Sequence, residues 1–343
     1  MGTVPRSART RGTVPISAEA LALGAGRPVV VVSRCLGFDH CRYNGEIIDD
    51  PFVRRLREFV EFRPVCAEME IGLGVPRDPI RVVLVQGEMR LVQPSTGKDF
   101  SGPMNEFAGS FLDGIGSVDG LLLKSRSPSC GTRDVKIYNE TGNLMSAAQR
   151  QGFFGRAALA RFGDARVEDE GRLRNFLIRE RFLTMLFTLA RFRLLSERPT
   201  MAGLTDFHAS HKLLLMTYSE VVMRQLGKLG ANEDRRPVAD VFRDYGASLP
   251  RAFAGPPKYT AAINVLMHAL GYFRDGLNSD EKAFFLDSLQ RYRTGKAPLA
   301  VPVGILRSWV VRFGEPYLAR QVLFQPYPEG LVDIADSGKG RDH

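Results

Sequence analysis

The chain's four cysteines, at positions 35, 41, 66 and 130, are its best candidates for chemistry, and all lie before residue 131 of 343. Their spacing, Cys35-x5-Cys41-x24-Cys66-x63-Cys130, matches no compact zinc or ferredoxin signature, which places two ligands within one turn. What gathers them is position. Cys35 follows the apolar run 29–33, Cys66 follows 63–65, and Cys130 ends the polar turn Ser125-Arg126-Ser127-Pro128-Ser129-Cys130-Gly131 after the run 120–124. An apolar run stopped by serine, proline and glycine reads as a buried strand whose carboxyl end opens into a loop. In an open parallel sheet, ligands bind in the crevice at those ends, so three thiols would converge on one rim. Thiols there ionise more readily than core cysteines, as a thiolate ligand must. Zinc, an iron–sulfur cluster and a redox pair all remain open to such a set. Glu68, two residues after Cys66, could move protons beside it, or be a surface carboxylate. The serines around Cys130 could serve the site or simply cap the turn.

The elements that must position these residues follow from periodicity. Over 28–163, short apolar runs alternate with helical stretches, a βαβ-type pattern. Strands are predicted at 29–33, 64–67, 80–86 with a hairpin partner at 89–92, 120–124 and 135–138, and helices at 51–62 and 104–115. From about residue 168 long amphipathic segments take over, with helices predicted at 171–196, 207–229, 238–252, 259–275, 279–295 and 301–322. The fold class is therefore an α/β N-terminal domain with an open, mostly parallel sheet, followed by an all-α C-terminal domain. The division expected is a flexible leader at 1–26, the α/β domain at 27–165, the helical domain at 166–330 and a tail at 331–343, with one core per domain. The tetrapeptide Gly-Thr-Val-Pro recurs at 2–5 and 12–15, without any repeat of structural length.

The charge is +9, with 47 Lys and Arg against 38 Asp and Glu. Residues 1–165 hold 21 basic and 18 acidic residues, and 166–343 hold 26 and 20, so the helical half is the more basic. Such an excess favours polyanionic partners. Six arginines, at 172, 174, 179, 181, 191 and 193, fall in one region and are read as a phosphate-tracking surface. No signal peptide and no apolar run near 18 residues occurs, and four cysteines do not make a disulfide framework, so a cytoplasmic protein with reduced thiols and no membrane partner is expected.

Four segments in order carry a resemblance: Val32-Ser33-Arg34-Cys35-Leu36-Gly37, Arg42-Tyr43-Asn44-Gly45, Pro64-Val65-Cys66-Ala67-Glu68, and the run from Lys124 to Gly131. They resemble the motifs of the TudS thiouracil desulfidases across 28–162. In the helical half, Phe207-His208-x-x-His211-Lys212, Asn264 with His268, Gly271 to Phe273, Tyr292-Arg293 and 317–328 resemble the YbgA-type domain. The fusion is similar to the RudS group of transfer-RNA desulfidases. That resemblance implies a [4Fe-4S] cluster held by Cys35, Cys66 and Cys130, with one iron left to take the sulfur of a 4-thiouracil base while water attacks the ring carbon. Uridine and sulfide would be the products, transfer RNA the partner, Glu68 the general acid/base, and Ser127 a hydrogen-bond donor to substrate. The alternatives are a desulfidase of free thiouracils or thionucleosides and, in another class, a noncatalytic RNA-binding or iron–sulfur sensing protein.

Two positions depart from the pattern. Ala67 stands where the family often has proline, which removes a rigid φ before Glu68. Cys41 is a fourth thiol, read as a nonligand near the site. For His208, His211 and His268, hydrogen-bonded or RNA-facing roles are preferred to metal binding, because no cysteine or carboxylate pattern accompanies them.

Overall fold

The computed structural model of the chain describes residues 26–145, 150–333 and 335. The expected leader, apart from Gly26, and residues 334 and 336–343 of the expected tail lie outside the described residues. The first sheet is all parallel, in the order β2-β1-β6-β8, from Glu61–Val65, Val29–Ser33, Gly120–Leu123 and Val167–Asp169. β1 and β6 are buried along their whole length, as a central parallel strand covered on both faces must be. A second sheet, ordered β5-β4-β3-β7, holds the predicted hairpin of β3 (Arg81–Val85) and β4 (Glu88–Gln93). Gln86 and Gly87 both take positive φ there, 49° and 85°, the paired left-handed geometry of a tight hairpin. Its outer strands are β5 (Lys98–Asp99), antiparallel to β4, and β7 (Ile137–Asn139), parallel to β3.

The sheet residues alternate between two cores. Val29, Val31, Leu121 and Leu123 pack with Met104 and Leu112 of α3 (Ser101–Gly114) and Phe154 and Ala158 of α4 (Phe153–Phe162). Val30, Val32 and Leu122 point the other way, to Val53 and Leu56 of α1 (Pro51–Leu56) and Phe182 and Leu186 of α5 (Phe176–Glu197). Asp50 starts α1 by accepting the Phe52 and Val53 amides (3.0 and 3.1 Å), ahead of Pro51 at the first helical position. The short α2 (Ala67–Glu70) follows β2.

The helical half runs α5, α6 (Met201–Ala231), α7 (Val238–Ser248), α8 (Tyr259–Gly271), α9 (Ser279–Arg293), α10 (Ala300–Phe313) and α11 (Pro316–Ala319). The core does not divide at residue 165 as composition suggested. β8 lies beyond that point, and α5 is buried on most of its circumference, so the sheet's second core continues into α6 and α7 through Phe192, Phe207, Phe242 and Tyr245. A separate core under α8, α9 and α10 is built on Phe273, Phe285 and Trp309. The helix predicted at 301–322 stops at Phe313, because Gly314 takes a left-handed turn and Pro316 begins a new helix.

The six arginines do not form a phosphate-tracking surface. Arg172 and Arg181 bind buried Glu168 (both 2.8 Å) and Arg193 binds buried Asp119 (3.1 Å). Arg179 is buried with its guanidinium on the Leu173 carbonyl (2.8 Å), and Arg191 donates to the Pro326 carbonyl (2.8 Å). Only Arg174 is exposed. The reason is α5's place between sheet and helices, where an unpaired guanidinium would be desolvated at high cost.

Candidate functional site

Cys35, Cys66 and Cys130 follow β1, β2 and β6, three adjacent strands, and their loops meet over the carboxyl ends of the sheet. Ser33 stitches two of those ends together by accepting the Lys124 amide (2.8 Å), and the Arg34 amide donates to the Val65 carbonyl (2.8 Å). All three cysteines, with Cys41, Glu68 and Ser127, line one cavity of about 340 Å³. Every residue the sequence reading assigned to the chemistry is brought to this one place.

The Cys130 loop is held by backbone. Gly152 donates to the Gly131 carbonyl (2.8 Å), Phe153 to Pro128 (3.2 Å) and Gly155 to Ser129 (3.0 Å), so the entry of α4 lies directly on the turn. A Cβ at Gly152 would lie 2.5 Å from the Ser129 carbonyl oxygen, and one at Gly155 would lie 2.7 Å from that of Cys130. These two glycines support the site, and nothing in their local sequence said so. Ser127 Oγ accepts the amides of Ser129 (3.2 Å) and Cys130 (3.1 Å), the turn-capping role weighed for it. Those bonds use its lone pairs and leave its hydrogen to donate.

Glu68 is held on both oxygens. Arg77 grips Oε2 through Nη2 (2.6 Å) and Nε (3.0 Å), and Ser129 Oγ donates to Oε1 (2.8 Å). The same guanidinium donates to the carbonyls of Cys41 (3.1 Å) and Gly74 (3.0 Å). Proline is therefore not needed to fix Glu68, since Arg77 and Ser129 do so. Arg77 was not singled out in the sequence, because a single arginine in a Gly- and Pro-rich loop carries no periodic or motif signal. Lys124 and Ser125, which also line the cavity, are held by Glu170, which receives the Lys124 ammonium and the Ser125 amide (2.8 Å) and hydroxyl (2.7 Å).

The thiols feel one another. Contact with the Cys35 thiol pushes Cys41 up to about 11, burial pushes Cys130 up to about 12, and a bond from Cys41 followed by burial raises Cys66 further. Buried sulfur groups this close resist collective ionisation unless a cationic centre compensates the charge. Among the described residues no three Cys, His, Asp or Glu side chains converge as the ligands of a single metal ion. The sulfurs surround a cavity rather than a point, and a sulfur-only donor set about a cavity fits a polynuclear iron–sulfur group better than one zinc ion.

The histidines are scattered by comparison. His211 is buried, its Nδ1 bonded to the Phe207 carbonyl (2.8 Å), and His208 Nδ1 meets the Tyr245 hydroxyl (3.0 Å). His208 and His268 line an open groove of about 670 Å³ on α6 and α8, together with Lys212 and Arg224. No described helix is long and apolar enough to cross a membrane.

Residues 30–170 match the family described as 2-thiouracil desulfurase, and residues 212–328 match a family described as a protein of unknown function, DUF1722. The chain is 30% identical over 157 residues to the uncharacterized protein YbbK of Bacillus subtilis (strain 168), covering 43% of this chain and 100% of that protein. It is 27% identical over 158 residues to the uncharacterized protein YbgA of Escherichia coli (strain K12), covering 46% of this chain and 93% of that one. Among solved structures it is similar to a [4Fe-4S]-dependent thiouracil desulfidase, TudS, at 30% identity over 43% of this chain and 93% of the other, with a TM-score of 0.34.

Proposed function

Through residues 30–170 the chain belongs to the 2-thiouracil desulfurase family, and from that premise we propose that it is an iron–sulfur desulfidase removing sulfur from 4-thiouridine in transfer RNA. The observation that carries the proposal is the meeting of Cys35, Cys66 and Cys130 around one cavity, with Glu68 clamped on its wall. The three cysteines would hold a [4Fe-4S] cluster. When bound, it would supply Lewis-acid chemistry at the thiocarbonyl sulfur.

The chain's own residues do the rest. Net reaction replaces one C=S by C=O at the expense of one water, so a proton must be taken from that water as its oxygen attacks the ring carbon. Glu68 is the base in that role, its Oε1 and Oε2 already oriented by Ser129 and Arg77 so that little reorganisation accompanies the transfer. Ser127 donates its free hydrogen to the substrate. Cys41 lies between Cys35 and Cys66 and acts as a nonligand. Arg77 secures the Cys41 carbonyl together with the base, so the base and the cysteine loop share one anchor.

Transfer RNA would be gripped by the helical half. With the α5 arginines turned inward, one candidate surface near the YbgA-like motifs is the groove carrying His208, Lys212 and His268, where Arg224 is paired with Glu220 (2.6 Å) and Lys212 supplies positive charge. Phosphate contacts of this kind position an RNA without reading its sequence. Anaerobically reconstituted protein, incubated with bulk transfer RNA, should remove the near-ultraviolet absorbance of 4-thiouridine, and Cys130→Ala should abolish that loss. A persistent band with iron fully loaded would sink the transfer-RNA reading, and turnover of free thiouracil in the same preparation would replace it by the small-molecule one.

A further inference from the structure

Between α5, α6, α10 and the segment 323–332 lies a second cavity, of about 240 Å³, which shares no lining residue with the one that gathers the cysteines. Leu214, Val303, Leu323 and Phe324 give it apolar walls, and Glu180 and Arg307 bring one charge of each sign. These two charges are not closed into a salt bridge. Among the described residues the Glu180 carboxylate bonds only to the Tyr327 hydroxyl, through Oε1, and the Arg307 guanidinium only to the Gln325 amide oxygen (3.2 Å). Glu180 Oε2 and Arg307 Nε and Nη1 are left without a protein partner. Burial pushes the Glu180 carboxyl up from its ordinary value, as it does for a carboxylate short of positive charge.

The scaffold fixes both heads from one short stretch of chain. Gln325 and Tyr327 are two residues apart, so their Cα atoms lie within about 7 Å of each other, and Arg191 ties down the Pro326 carbonyl between them (2.8 Å). Gln325 Nε2 is buried with no partner, so the amide beside Arg307 still has a donor to give. On the other side, α6 is interrupted at Ser219 (φ −156°, ψ 101°), directly after the lining residues Thr217 and Tyr218, with no proline or glycine between 213 and 226 to cause it. Opposite charges held apart over a short span, beside an apolar wall, complement a small molecule that carries both charges on neighbouring atoms together with an apolar body. The volume lies below the ~300–1,000 Å³ of drug-sized sites, which suits a molecule of that kind.

We propose that this cavity binds a free α-amino acid with an apolar side chain, its ammonium on Glu180, its carboxylate on Arg307 and its side chain among Leu214, Val303, Leu323 and Phe324. The assignment goes beyond the desulfidase reading and stands without it, since no residue of the cysteine cavity takes part.

Calorimetric titration of the full chain with L-leucine, with 3-methylbutylamine, which lacks the carboxylate, and with 4-methylpentanoate, which lacks the ammonium, tests it. Each analogue should bind at least about tenfold more weakly than leucine, because each leaves one protein charge unanswered. Glu180→Gln keeps an acceptor for Tyr327 and should erase the preference for leucine over 4-methylpentanoate while leaving the preference over the amine. Arg307→Gln should do the converse. Iron content after reconstitution should be unchanged in both variants. An analogue that binds as tightly as leucine, a preference that survives both substitutions, or no binding of leucine, valine or phenylalanine at millimolar concentration overturns the site. The analogue series on the unsubstituted chain decides the matter even where a variant fails to fold.

Discussion

Replacing Arg77 by methionine is the sharpest single test of how the site is held. The guanidinium is 6% exposed and its Glu68 partner 14%, so neither charge is rescued by water when the other is deleted. Arg77→Met keeps the aliphatic bulk but strands a carboxylate and frees the carbonyls of Cys41 and Gly74. Breaking a buried pair from one side costs about 3–5 kcal/mol, against a total stability of about 5–15 kcal/mol. Glu68→Gln in the same background removes the stranded charge and should recover about half of that loss, because the cost is mainly an uncompensated charge. Denaturant midpoints of the four proteins of this cycle supply the coupling, and they do not require a loaded cluster. A loss below about 1 kcal/mol for Arg77→Met, or strictly additive effects in the double variant, would refute the claim that Arg77 and Glu68 form one desolvated unit.

Glu68→Gln alone should keep the full iron content and lower kcat about 10²–10⁴-fold, measured on 4-thiouridine; unchanged turnover would remove Glu68 from the chemistry. Cys35→Ala, Cys66→Ala and Cys130→Ala should each lose the visible absorption of the cluster, whereas Cys41→Ser should retain it; loss of that band in Cys41→Ser would make Cys41 a ligand. Gly155→Ala forces its new Cβ against the Cys130 carbonyl, and iron per chain after reconstitution should fall while thermal stability drops by about 1–3 kcal/mol. Burial, with the nearby Arg191 charge, lowers His211 to about 3, so the folded protein excludes a proton that the unfolded chain binds below about 6.5. The stability contributed is full above that value and is lost as pH falls, at about 1.4 kcal/mol per pH unit, and His211→Phe should flatten the stability profile between pH 6 and 4.

Much of the site was legible in the residues themselves. Strand-ending cysteines are readable because a buried parallel strand is a short unbroken apolar run, and the turn residues after it announce where the chain leaves the sheet. Val29–Ser33 and Gly120–Leu123 show this, and the loops after them carry Cys35 and Cys130. The helical half was equally plain from its periodicity. Its segments nevertheless broke where local chemistry intervened, as at Gly314 and Pro316.

What could not be read is what depends on who stands opposite whom. The arginines of α5 look like a cationic surface in one dimension, but Glu168 and Asp119, on other elements, turn them inward. Arg77 becomes the clamp of Glu68 only because the loop from Gly72 to Pro79 folds back over α2, and Gly152 and Gly155 matter only because α4 begins against the Cys130 turn. Composition and periodicity record whether a residue is buried and in what kind of element. Pairing and close approach are properties of two distant segments at once, and the packing that sets them is decided only when the whole chain has folded.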